Sequence, residues 1–94
     1  MGNPTGQAKE PWDQLQTYRK GLRVSLRQLA EETMRHPDRS EHLSYVAIWR
    51  REQPPSHPDH VAMSRSELLA LCALIERIVE RRQREMSVAE VLAL

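Results

Sequence analysis

The segment Ser25–Glu52, SLRQLAEETMRHPDRSEHLSYVAIWRRE, decides how this chain folds. Its two ends read as amphipathic helices, and its middle, RHPDRSEH (35–42), is polar and interrupted by proline. Ser25 opens the first of these helices, with Gln28 three residues on completing a capping box. Leu26, Leu29, Ala30, Thr33 and Met34 then share one face at helical spacing. His36-Pro37 ends the helix, because a residue before proline is pushed out of the α region. The second helix is expected over roughly Glu41 to Gln53, with Leu43, Ala47 and Ile48 as its inward stripe. Either Ser40 or Ser44 serves as its N-cap.

Outward from this segment the pattern stays helical. QPPSHPDHVAM is a loop, since three prolines fall within six positions and leave no room for a helical ladder. Ser64 with Glu67 forms another capping box and opens the longest helix, expected to run to about Arg84. Leu68, Leu71, Ile75 and Ile78 repeat there at three and four, flanked by Leu69, Cys72, Leu74 and Val79. That apolar face is wider than one neighbouring helix needs. Ser87 with Glu90 predicts a short final helix over VAEVLAL. Upstream, Pro11 suits a first helical turn, and Trp12, Leu15 and Tyr18 make a modest stripe that stops at Gly21. Residues 1–10 are small and polar and read as a disordered arm. The expected fold is therefore all-α, a compact bundle of about five helices. Its helical domain spans 11–84, and 85–94 is a C-terminal helical extension suited to dimerisation.

Composition narrows the function classes. With 94 residues the chain is long enough for one small core, and with no Phe that core rests on aliphatic side chains. The net charge of +1 supplies no overall basic field, but the charge is unevenly placed. Eight Lys/Arg face five Asp/Glu between Leu15 and Glu52, whereas five of each cancel between Ser64 and Leu94. An anion is therefore met by the first half. Cys72 is the only cysteine, so a reducing setting is expected, and no stretch reaches the length of a membrane span. A soluble, cytoplasmic protein is the expectation, with no membrane partner.

Chemistry of other kinds finds little support. His36 and His42 lie in the polar run, and His57 and His60 flank a proline in the loop. Neither pair has the tight spacing of a zinc site, so no metal is expected. Nothing cationic stands near Cys72 in sequence to activate its thiol. No glycine-rich phosphate loop or Ser/His/Asp arrangement appears. The expectation is a non-enzyme without a cofactor.

YRKGLRVSLRQLAEET (18–33) joined to LSYVAIWRRE (43–52) resembles the lambda-repressor-like helix-turn-helix family, the Xre/Cro group, with a turn enlarged by residues 35–42. In that resemblance Leu29-Ala30 is the Leu-Ala pair of the motif's first helix. Leu43 closes the turn, Ile48 is the buried isoleucine and Glu52 the terminal glutamate. The resemblance implies a small sequence-specific DNA-binding transcriptional regulator on double-stranded DNA. The helix from about Leu43 to Gln53 would lie in the major groove, with Tyr45, Val46, Trp49 and Arg50 toward base edges. Arg50 is the guanine reader among them. Ser44, Arg51 and Arg27 would fix the register on phosphates, with Arg35 and Arg39 on either side. A homodimer through the C-terminal helices would match a palindromic site. A different class fits the same residues: a helical protein-interaction module in which an exposed Trp49, with Tyr45 and Val46, inserts into a protein partner.

Overall fold

The computed structural model describes residues 10–35 and 42–93. Four α-helices are present among them, α1 (Pro11–Gly21), α2 (Leu26–Met34), α3 (Tyr45–Arg51) and α4 (Arg65–Ala93), with no strand. The all-α expectation is met. The fifth helix is not: α4 runs unbroken for 29 residues, about 43 Å at the rise of an α-helix. Ser87 and Glu90 lie inside it, and the boundary expected at 84/85 falls within continuous helix. The reason is local. No glycine or proline stands between Ser64 and Leu94 to end the ladder, and an interior serine is tolerated.

The core is aliphatic, as the composition requires. Leu15 of α1, Leu29 of α2 and Ile48 of α3 converge on Leu68, Leu71, Leu74, Ile75 and Ile78 of α4, with Val24 and Leu43 closing the ends. Each such side chain contributes about 1.5–3 kcal/mol by leaving water. α4 is the spine against which α1 and α2 pack, and α3 packs on α2.

The caps are mostly those expected. Ser25 and Gln28 form a full capping box, Oγ accepting from the Gln28 N–H at 3.0 Å and Gln28 Oε1 accepting from the Ser25 N–H at 2.9 Å. Ser64 Oγ accepts from the Glu67 N–H, but the Glu67 carboxylate turns to Arg51 instead of closing the box. α3 is shorter at its start than expected, opening at Tyr45 with Ser44 as its cap. Ser40, the other candidate cap, lies outside the described residues, as do residues 1–9 of the expected arm.

The α1–α2 turn departs from expectation in an instructive way. Gly21 is the last residue of α1, not the residue that reverses the chain. Arg23 does that, at φ 58°, the left-handed conformation. The Val24 N–H reaches the Arg19 carbonyl and the Arg23 N–H the Lys20 carbonyl, both at 3.1 Å. Those two bonds define a Schellman motif with Arg23 in the place that glycine favours. Arg82 of α4 holds the turn, donating to the carbonyls of Leu22 at 3.0 Å and Arg23 at 2.8 Å. Tyr18 makes a second link to α4, its hydroxyl donating to Glu76 at 2.8 Å. That bond, then burial and the negative charge of Glu76, push the phenol up to about 12.

Arg23→Gly is expected to stabilise the domain by up to about 1 kcal/mol in thermal or urea unfolding, by relieving the left-handed residue. A loss of stability would mean that the Arg23 side chain contributes more than its backbone strain costs.

Candidate nucleic-acid interface

The site is built on α3, whose seven residues leave little freedom in how the helix is rotated. Ser44 Oγ accepts from the Ala47 N–H at 3.1 Å, capping the helix. Ile48 is fully buried and Glu52, the residue just past the helix, is 2% exposed, so this edge faces inward. At 100° per residue, Val46 and Arg50 must then face out. They do: Val46 is 40% and Tyr45 48% exposed, and Arg50 is exposed with no side-chain partner among the described residues.

Glu52 is inward because Arg19 meets it. Arg19 Nε donates to Glu52 Oε2 at 2.7 Å and its Nη2 to Oε1 at 2.8 Å, a two-pronged pair between α1 and the end of α3. Arg19 Nη1 donates to the Val24 carbonyl at 2.8 Å, so one guanidinium also holds the α1–α2 turn.

A second brace spans the polar run. The Thr33 hydroxyl donates to the Ala30 carbonyl at 2.6 Å and accepts from the Leu43 N–H at 3.2 Å. Thr33 is fully buried, so the end of α2 and the approach to α3 are joined across residues 35–42 by a side chain. His36, Arg39 and most of that run lie outside the described residues. Arg35 and His42, at its two ends, are exposed.

The residues expected to act together divide into two groups. Val46 and Arg50 form the outer edge of α3, Ser44 and Tyr45 are exposed at its N-terminal end, and Arg27 reaches Tyr45 from the first turn of α2. Its guanidinium lies 5.5 Å from the centre of the Tyr45 ring, a cation–π contact that leaves the cation exposed. Arg51 and Trp49 do not stand free. Arg51 turns inward, Nε on Glu67 Oε2 at 3.1 Å and Nη1 on the Ala47 carbonyl at 2.9 Å. Its second neighbour along the ladder sets that direction, since Ala47 and Arg51 lie on one side of the helix. Trp49, expected as an exposed anchor, is half-buried with its ring edge-on to His57 at 5.4 Å.

The histidines of the loop have structural partners. His57 Nδ1 accepts from the Asp59 N–H at 3.0 Å, and His60 Nδ1 lies 2.7 Å from the Gln53 carbonyl, to which it donates. The Val61 N–H caps the Arg50 carbonyl at 3.1 Å, so the proline-rich loop folds back on the end of α3. Among the described residues, no three His, Cys, Asp or Glu side chains converge as metal ligands would. Burial, with the charge of Glu76 second, raises the Cys72 thiol above its ordinary pKa, the wrong direction for a nucleophile. No described helix is long and apolar enough to cross a membrane.

No family model, no curated protein and no solved structure matches this chain. The reading of the site therefore rests on its own geometry.

Arg51→Met is expected to lower stability by about 1–3 kcal/mol in urea unfolding, because Glu67 loses its partner in a half-buried place. Arg50→Met is expected to stay within about 0.5 kcal/mol of the parent protein, as exposed substitutions do. Equal effects at the two arginines would contradict the division described here.

Proposed function

We propose that this chain is a small sequence-specific DNA-binding transcriptional regulator of the Xre/Cro-like helix-turn-helix class, acting as a homodimer. The observation that carries the reading is the edge Val46–Arg50, with Ser44 and Tyr45 exposed at the start of the helix. It is held outward by the opposite, locked face of α3 and is joined by Arg27 of α2.

In mechanism, α3 lies lengthwise in the major groove with its Val46–Arg50 edge toward the bases. Arg50 donates its two-pronged fork to the O6 and N7 of a guanine. Val46, beside it, makes apolar contact with a thymine methyl. The Ser44 hydroxyl, whose oxygen already accepts from the backbone, still has its hydrogen to offer a phosphate. Arg27 supplies a phosphate contact, with the Tyr45 ring limiting the conformations its long side chain explores. Arg51 plays no part in this reading, because Glu67 and the Ala47 carbonyl hold it. The protein-interaction alternative is the weaker one, since the expected anchor Trp49 is packed against His57.

The test is selection of bound sequences from random duplex DNA, followed by salt titration of the selected site. Arg50→Ala is expected to cost about 1–3 kcal/mol on that site and to relax preference at one base pair. Arg27→Ala is expected to weaken binding about equally on all sequences and to reduce the slope of log K against log salt by about 1. Failure to enrich any sequence at moderate salt would remove the proposal, and protection of Val46 and Tyr45 by a protein alone would favour the alternative.

A further inference from the structure

We propose that the outer face of α4 is a self-association surface on which a second copy of this chain lies antiparallel, Glu80 of each against Arg84 of the other. This gives the homodimer of the preceding reading a surface, a direction and a register. It rests on α4 alone, so its test needs no DNA.

The helix outlasts its own packing. The buried residues of α4 end at Ile78, and Arg81 and Arg82 make its last bonds to α2 and the α1–α2 turn. From Gln83 to Ala93 every residue is exposed. Those 11 residues extend about 16 Å along the helix axis. A stretch that short is marginal as an isolated helix in water, and it carries Val88, Val91 and Leu92 at 57%, 67% and 80% exposure. An apolar cluster on a helical arm needs a cover.

Of that cluster, Val91 lies on the face opposite the core. Ala73, Arg77, Glu80, Arg84, Ser87 and Val91 follow one another at steps of four, three, four, three and four, one straight seam along the helix. All six are exposed, and none of the three charged ones has a side-chain partner among the described residues.

The seam maps onto itself when reversed. Placed antiparallel about a two-fold axis near Arg82, Ala73 meets Val91, Arg77 meets Ser87, and Glu80 meets Arg84, each twice. Opposite charges face each other at the centre. The apolar end, with Val88 flanking Val91, reaches the small-residue end, where Ala70 and Ala73 permit close approach of the helices. A parallel arrangement would instead set Glu80 on Glu80 and Arg84 on Arg84, which repels. A lipid surface is a poor match for a seam whose centre is charged. The overlap from residue 73 to 91 is 19 residues, about 28 Å of helix.

The test is sedimentation equilibrium of the full chain without DNA. The expected result is a concentration-dependent dimer of twice the 11.0 kDa chain. Glu80→Arg and Arg84→Glu are each expected to weaken it at least tenfold while circular dichroism stays unchanged, since both side chains are exposed. An equimolar mixture of the two variants is expected to dimerise again, each restoring the other's charge. Direction is read by cross-linking in a Cys72→Ser background. Ala73→Cys combined with Val91→Cys is expected to form an intermolecular disulfide, and Val91→Cys alone is not. A monomer at every concentration, an undiminished dimer in Glu80→Arg, or efficient cross-linking of the single Val91→Cys variant would each overturn the pairing. None of these results bears on the duplex reading of α3.

Discussion

The structure depends on one buried ion pair. Arg19 and Glu52 are 33 residues apart, and their side chains are 8% and 1% exposed. Removing both from water is costly, and only good geometry with every remaining donor satisfied repays it. Here the carboxylate takes two prongs of the guanidinium, and a third prong holds the Val24 carbonyl. One arginine thus ties together α1, the turn into α2 and the end of α3. Because Glu52 must point inward to meet it, the rotation of α3 is decided, and with it the outward direction of Val46 and Arg50.

The enlarged turn poses the problem that the rest of the framework solves. A turn enlarged by residues 35–42 is longer than the linker of a tight helix-turn-helix. Thr33 ties the end of α2 to the approach to α3 by accepting from the Leu43 N–H, and Ser44 then caps α3 directly afterward. α2 is fixed from its other side by α4: Arg81 pairs with the buried Glu32 at 2.9 Å, and Arg82 reaches Gln28 Oε1 at 3.1 Å. Polar braces between the helices therefore do for orientation what a small aliphatic core does for cohesion. Apolar packing is non-directional, and paired polar groups are not.

How much of this was legible follows from which forces are local. The starts of α2 and α4 are set by side chains within a turn, so Ser25, Gln28 and Ser64 are directly readable, whereas the end of α1 is held by backbone bonds and by Arg82 from a distant helix. The proline-rich loop was equally plain. The inward face of α3 follows from the period, which places Ile48 inside; the outward set comes from the resemblance, and of it Tyr45, Val46 and Arg50 are exposed whereas Trp49 is half-buried. Arg19 was not recognisable, because a cation at a helix C-terminus looks the same whether it faces water or a carboxylate distant in sequence. The inward pairing of Arg51 and the packing of Trp49 are illegible for the same reason, since Glu67 and His57 come to them from other segments. The length of α4 was misjudged because Ser87 and Glu90 have the spacing of a capping box without a preceding break, and a box caps nothing where the helix has no cause to stop.

The most direct test of the account is a double-mutant cycle on the central pair, measured by urea unfolding. Glu52→Leu alone and Arg19→Met alone are each expected to cost about 3–5 kcal/mol, because each leaves a charge buried without its partner. The double variant is expected to lose much less than the sum of the two. Single losses below about 1 kcal/mol, in the range of exposed ion pairs, would contradict the account and leave the orientation of α3 without its stated cause.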